Sequence, residues 1–389
     1  MNQELRVGIV GARRGGGYLS GFRAVTQTKV VAMCDLQAET LKEAADHAGV
    51  ELRYTNFDEM LDKARLDIVV VSTPMPLHAP QSIAALQRGI HVMSEVPAAT
   101  DLEQCWQLAE AVRASKAKYM MCENYTYMKP NVLIRAMAHA GAFGDLYYGE
   151  GGYIHELKGL NEVTRWRRFW QTGINGNTYP THSLGPLLQW LRTRVVSVTC
   201  MGSGHHHRDP RGDEYANEDS TTTLCKLATG GMVTLRLDML SNRPHNMVHY
   251  ALQGTNGCYE SGRDGGDEPR VWLKGRSKDD HTWQSLWEYE REFLPAIWRD
   301  PPEEARRAGH GGGDYFQVRE FADSILSDTR LPIDVFDALD FTVPGLVSQE
   351  SIRRGSVPLP VPDFRALRRF PEDLPAELRH SSILRVRQP

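Results

Sequence analysis

The residues best suited to chemistry in this chain fall in one glycine-rich turn and in a scattered set of tyrosines, histidines and arginines. The turn is Gly11-Ala12-Arg13-Arg14-Gly15-Gly16-Gly17, directly after the apolar run Leu5–Val10. Gly11 and Gly16 take the first and third positions of a G-x-G-x-x-G pattern, with Arg13 in place of the second glycine. Such a turn brings a pyrophosphate close to backbone amides at a helix N-terminus, where the helix dipole favours the anion. Asp35 follows about 20 residues later, at the end of the next apolar run. A carboxylate there accepts both ribose hydroxyls of NAD and repels the extra phosphate of NADP. Arg13 or Arg14 could answer that phosphate, so NAD is favoured with NADP left open.

The scattered groups are of types that move protons or hold anions. His182 and His155 titrate near neutral pH unless perturbed. Tyr153 and Tyr179 can act as bases only where a cation lowers their pKa. Tyr153 and His155 share one face of a strand, where plain packing would also explain them. His182 opens a helix, where a cap or a satisfied core histidine is the rival reading. Arg165-Trp166-Arg167-Arg168-Phe169-Trp170, with Lys158 nearby, fits a sulfonate or carboxylate by charge-assisted bonding, or a solvated turn. His205-His206-His207 reads as a solvated loop. His245 and His249 copy the outer spacing of a zinc-binding helix motif, but Asn246 replaces its glutamate and Pro244 precedes, so no metal is expected.

The elements that must position these groups alternate regularly at first. Apolar runs at 5–11, 29–35, 66–73, 91–95 and 118–123 read as buried strands. Helical patterns lie between them, up to about Val25 and at 36–49, 76–89 and 102–114. This predicts a doubly wound parallel sheet, a Rossmann domain over residues 1–125. Residues 126–365 change character. A helix at 131–140 precedes strands at 146–155, 220–227, 232–238 and 249–254, several of them alternating. This predicts an α+β domain with a large, mostly antiparallel open sheet. The Pro- and Arg-rich residues 366–389 read as a wrapping tail.

That order of elements, with Ser72-Thr73-Pro74, His78, Glu95-Val96-Pro97 and His182, resembles the glucose–fructose oxidoreductase/inositol dehydrogenase (Gfo/Idh/MocA) family over about residues 5–350. The resemblance implies that Gly11, Arg13, Arg14, Gly15, Gly16, Asp35, Ser72, Thr73, Pro74, His78, Glu95 and Pro97 surround a bound NAD. In that family a Glu-Lys-Pro lysine is catalytic and an aspartate stands four residues before the histidine. Here Val96 and Thr178 hold those positions. Tyr153-Ile154-His155, Gly176-Asn177-Thr178-Tyr179-Pro180-Thr181-His182-Ser183-Leu184-Gly185-Pro186 and Gly309-His310-Gly311-Gly312-Gly313-Asp314 are similar to one subgroup, the NAD-dependent glycoside hydrolases. Its members act on α-N-acetylgalactosaminides and other glycosides, including sulfoquinovosides.

The similarity implies a redox-neutral cycle of oxidation at sugar carbon 3, elimination across carbons 2 and 1, hydration and reduction. His182 is then expected to serve the carbon-3 hydroxyl. Tyr153 is expected at carbon 2, with Tyr179 and His155 beside it as alternatives. Glu123, Lys158, Arg165, Arg167, Arg168, His310 and Asp314 are the expected substrate contacts. Two other readings remain: an NAD-dependent sugar or cyclitol dehydrogenase, and a non-catalytic NAD- or sugar-sensing protein.

Composition narrows the partners. The formal net charge is −4 and about two-fifths of the residues are hydrophobic, which gives nucleic acid no global footprint. No apolar run has membrane-spanning length. The six cysteines form no CxxC pair and read as reduced thiols, so a cytoplasmic location is expected. A small-molecule glycoside is the expected partner. The open sheet predicts a homodimer or homotetramer.

Overall fold

The computed structural model describes residues 4–263 and 266–386. Residues 1–3 and 387–389, at the outer ends of the predicted Rossmann domain and tail, lie outside the described residues. Six strands make the first sheet: β1 (Leu5–Val10), β2 (Thr28–Cys34), β3 (Leu52–Tyr54), β4 (Ile68–Val71), β5 (His91–Ser94) and β6 (Tyr119–Met121). They are all parallel, in the order β3-β2-β1-β4-β5-β6. The strand order reverses between β1 and β4, which opens a crevice at the carboxyl ends of these strands. Gly11, Ser72, Glu95 and Glu123 all lie just past strand ends on that rim. Burial on both faces explains the unbroken apolar runs. All four residues of β4 are fully buried. The sequence reading found five of the six strands. β3 escaped it because it is a three-residue edge strand whose side chains are mostly exposed.

The second sheet has nine strands: β7 (Leu146–Ile154), β8 (Val195–Gly202), β9 (Ser220–Leu227), β10 (Met232–Asp238), β11 (Asn246–Gly254), β12 (Gly257–Glu260), β13 (Arg270–Leu273), β14 (Gln284–Ser285) and β15 (Leu359–Pro360). Their order is β14-β13-β12-β11-β7-β10-β9-β8-β15. Only β7 and β10 pair in parallel. On β9, Thr221, Thr223, Cys225 and Leu227 point inward while Thr222, Leu224 and Lys226 are exposed. The outer face stays open and carries Tyr147, Met201, Leu224 and Met232 as exposed large apolar groups.

The inner face of this sheet carries a helix, Thr181–Leu191, ten of whose eleven residues are buried. Its seat is cut by Gly151 of β7. A Cβ there would lie 2.2 Å from the Ser183 carbonyl oxygen. The helix therefore rests directly on the strand, and its first turn is fixed over the carboxyl end of β7. That single approach brings His182 to Tyr153.

The last segment returns to the first domain. Leu102 and Glu103 amides donate to the Ile383 and Leu384 carbonyls, and Trp106 stacks on Phe370 at 6.0 Å. All six cysteines are free. Among the described residues no helix is long and apolar enough to cross a membrane.

Candidate active site

The cofactor turn is built mainly from backbone. Gly11 has φ 85°, and a Cβ on it would sit 2.4 Å from the Ser72 carbonyl oxygen. Gly11 brings no capping side chain to the helix that begins at Ala12, and of its first-turn amides Ala12's is taken by Asp35, which leaves those that follow for an anion. The close packing of helix on sheet falls at Gly15, whose Cβ would be 2.2 Å from Ile9. At Gly16, the position expected from the motif, a Cβ would touch nothing within 4 Å. Asp35 is pinned beside the turn. Its Oδ2 accepts from the Ala12 amide at 3.0 Å and its Oδ1 from the Gln37 amide at 2.9 Å. Each oxygen keeps a lone pair for a ribose hydroxyl. Buried atoms without protein partners, Ser72 Oγ and Asn124 Oδ1, lie past the ends of β4 and β6. The donors and cradle fit NAD.

Arg14 departs from its expected role. Its Nε lies 2.6 Å from Glu95 Oε1 and its guanidinium 4.0 Å from Asp314, so it turns inward, while Arg13 is exposed. Tyr18 donates to the same Glu95 oxygen at 2.8 Å. His78 departs too. Its Nδ1 lies 2.9 Å from the Pro97 carbonyl and its Nε2 2.7 Å from the Thr73 carbonyl. Both ring nitrogens face main-chain acceptors, so His78 braces the loops that follow β4 and β5. Thr73 Oγ1 is engaged with Gln81 at 2.7 Å. Val96, which stands in the Glu-Val-Pro stretch after β5, is buried.

The proton-moving groups converge at the junction of the two sheets. Glu123 is fully buried, and its Oε1 lies 2.7 Å from His182 Nδ1 and accepts the Tyr125 amide at 3.1 Å. This carboxylate fixes the His182 tautomer with Nδ1–H and leaves Nε2 as the acceptor. Glu123 thus holds the histidine; it was expected as a substrate contact. Tyr125 stacks on the His182 ring at 4.1 Å, and the Tyr250 hydroxyl donates to the His182 carbonyl. Tyr153 and Tyr179 flank the same ring at 5.5 and 5.0 Å. The Tyr153 hydroxyl lies 2.9 Å from His155 Nδ1. Burial pushes the Tyr153 phenol up, with Arg167 acting against it. Burial likewise raises Tyr179. Burial, then His245 and Arg167, lower His155 to about 4. His155 is therefore neutral at working pH, and its Nδ1 lies within hydrogen-bond reach of the Tyr153 hydroxyl.

Of the expected anion-holding residues, only Arg167 interacts with this cluster. It bonds Thr164 and Gln171 and stacks on Trp166 at 4.5 Å. Lys158 donates to the Leu240 carbonyl and Asn242, Arg168 faces Asp209 at 3.7 Å, and Arg165 is exposed. His310 and Asp314 pair at 2.9 Å, and Asp314 faces Arg14, on the cofactor side. Asn177 Oδ1 and Nδ2, Thr181 Oγ1, Gln171 Nε2 and Glu123 Oε2 are buried without protein partners. Buried polar atoms are rarely left so, and ligand hydroxyls would satisfy those that face the site. His207 pairs with Asp219 at 2.7 Å, and no group of three or more metal-ligating side chains occurs among the described residues. The sequence reading missed the Glu123–His182 pair, the Tyr125 stack and the approach of His245 to His155. The nearness of Glu123 to a strand end was the one available signal.

These two regions define an enzyme of the Gfo/Idh/MocA NAD-binding type. Residues 5–123 match the family described as "Oxidoreductase family, NAD-binding Rossmann fold", and residues 127–368 match "Glycosyl hydrolase 109, C-terminal domain". The chain belongs to glycosyl hydrolase family 109. It is 30% identical to a glycosyl hydrolase family 109 protein of Saccharopolyspora erythraea, covering 93% of this chain and 84% of that one. It is also 30% identical to an alpha-N-acetylgalactosaminidase of Shewanella oneidensis, covering 93% and 85%. Among solved structures it resembles the WlbA dehydrogenase of Bordetella pertussis in complex with NADH and UDP-GlcNAcA. The TM-score is 0.76 at 21% identity, over 92% of this chain and 98% of that one. A levoglucosan dehydrogenase with NADH and levoglucosan gives 0.77 at 19% identity, over 92% and 100%. At such identities these structures speak for the fold.

Proposed function

We propose that this enzyme hydrolyses α-N-acetylgalactosaminides by a redox-neutral cycle. The observation that carries this reading is the make-up of the cluster. Ordinary glycosidases need two free carboxylates flanking the bond. Here Glu123 is fully buried and spent on His182, while two tyrosines and two histidines face the same space. Bound NAD would supply hydride removal at carbon 3 and its later return, which acidifies the carbon-2 proton in between. His182 Nε2 takes the carbon-3 hydroxyl proton, with Glu123 stabilising the imidazolium. Tyr153 is the group placed to take the carbon-2 proton; burial raises its phenol on balance, and Arg167 offsets only part of that. Because Lys158, Arg167 and Arg168 all have partners within the protein, a sulfonate would have to compete for them; this favours a neutral acetamido sugar over a sulfoquinovoside. The open sheet face supports a homodimer or homotetramer, and the six free cysteines support a cytoplasmic setting.

The test is turnover of p-nitrophenyl α-N-acetylgalactosaminide against a panel that includes the sulfoquinovoside. The expected result is nitrophenol release with catalytic NAD and no net NADH. NADH accumulating in step with a free sugar, without aglycone release, would make the protein a dehydrogenase.

A further inference from the structure

His245 lies on the loop between β10 and β11, far in sequence from the site motifs, and the site described above assigns it no role. Its ring meets His155 edge-on, with centroids 4.3 Å apart and planes at 85°. His155 in turn faces the Tyr153 hydroxyl through Nδ1 at 2.9 Å. Tyr153 is buried, His155 is half-buried and His245 is exposed. The three side chains thus form a graded line from the reacting centre to water.

We infer that His155 and His245 carry the carbon-2 proton between Tyr153 and solvent in each turnover. This inference rests on the reading of Tyr153 as the carbon-2 base. A buried phenol is a poor reservoir for a proton it must give up and take back. Tyr153 needs an acceptor, and a neutral imidazole at hydrogen-bond distance is one. In the elimination the carbon-2 C–H bond breaks and its proton goes to the Tyr153 oxygen. The phenolic proton moves to His155 Nδ1, and the proton on His155 Nε2 leaves toward His245 and water. The electron pair of the C–H bond forms the carbon–carbon double bond as the bond from carbon 1 to the aglycone oxygen breaks. With the nitrophenyl probe that oxygen departs as phenolate and needs no acid. In hydration a water oxygen bonds to carbon 1 and its spare proton goes to solvent, the carbon–carbon double bond opens, and a proton enters through His245, His155 and Tyr153 to carbon 2.

The electrostatics around His155 explain why the proton does not stop there. Arg167 from the helix Arg167–Trp170, His182 from the helix Thr181–Leu191 and His245 from its loop all oppose a second proton on the ring. Glu156, next in the chain, alone favours it. The same Arg167 favours phenolate at Tyr153. His155 is therefore a station that empties quickly. A small rotation of the exposed His245 ring, or one bridging water, joins it to solvent. His245 acts through His155 and positions the exit; it is not itself a group on the sugar.

The experiment uses the holoenzyme in deuterium oxide with p-nitrophenyl α-N-acetylgalactosaminide. Deuterium at carbon 2 of the released sugar is read by mass spectrometry against nitrophenol release. The wild type is expected to exchange that position with every turnover. In His245→Phe, which keeps an aromatic edge against His155, the proton returns internally more often. Carbon-2 deuterium per turnover is then expected to fall by about twofold or more, and the acid limb of kcat to move up in pH as one opponent of His155 protonation is lost. His155→Gln, which cannot pass a proton, should lower the exchange further. A merely structural role for His245 would move neither readout. Wild-type exchange in His245→Phe overturns the relay while leaving Tyr153 as base; an acid limb that moves alone then shows His245 to be only an electrostatic neighbour of His155. Turnover without any carbon-2 exchange in the wild type overturns the elimination reading itself, and the relay with it.

Discussion

The cofactor turn and the aromatic cluster sit on one rim but are built by opposite means. At the turn the contacts are dictated by backbone: a left-handed glycine, an uncapped helix start and one carboxylate held by two amides. In the cluster the chemistry is carried by side chains, delivered by the segment after β6, the end of β7, the helix on β7 and the loop before β11. The difference teaches that binding a common cofactor needs conformations, whereas choosing and deprotonating a sugar needs a register. The first is set within a few residues. The second depends on how a nine-stranded sheet pairs.

A side chain at position 11 is the sharpest way to break this account. Gly11→Ala forces a Cβ onto the Ser72 carbonyl at a backbone angle that disfavours it. NAD affinity is expected to fall by about 100-fold or more, read by calorimetric titration. An affinity within about threefold of wild type would show that the turn is not backbone-determined. A milder break targets the cluster. Glu123→Gln keeps the volume but removes the charge that holds His182, so kcat should drop by about 10- to 100-fold while NAD affinity stays unchanged. Loss of NAD binding in this variant would erase the distinction between the two regions.

The smallest effect concerns stability. His155 titrates near 4 in the folded protein, below its ordinary value of 6.5. Between those values the unfolded chain holds the extra proton and the folded one does not. Stability from this group is therefore complete above about pH 6.5 and is lost as pH falls toward 4. The urea midpoint should be lower at pH 5 than at pH 7, and His155→Gln should flatten that dependence. A wild-type midpoint that rises on acidification, with no change in the variant's slope, would show that burial does not hold the ring neutral.

Legibility in the sequence followed the same division. The glycine turn, Asp35 and the parallel strands were readable because their signals are local. β9 and β10 were found residue for residue, since buried positions alternate with more exposed ones along β9 and along β10 up to Leu237. β3, β8 and the short strands β12 to β14 were not, being brief, at an edge or irregularly exposed. His182, Tyr153, Tyr179 and His155 were picked from sequence, and the structure brings them together. Lys158 and Arg168 were read as sugar contacts because a charge looks the same with or without a partner. Their partners, the Leu240 carbonyl and Asp209, belong to other loops. Glu123 was placed at a strand end, but nothing local revealed that His182 would claim it. His245 was weighed only as a metal ligand, since spacing along a chain says nothing about an edge-on neighbour from β7.

The returning segment bears on how the protein is made. Helix Leu102–Ala114 of the first domain is held by Ile383, Leu384 and Phe370, which leave the ribosome after both sheets have been synthesised. A nascent Rossmann half therefore emerges with this flank of the helix unfastened, and the contacts that close it form only once the tail has been made. Domains fold as units, N-terminal first during synthesis, so the tail docks as a late clasp on a sheet already formed.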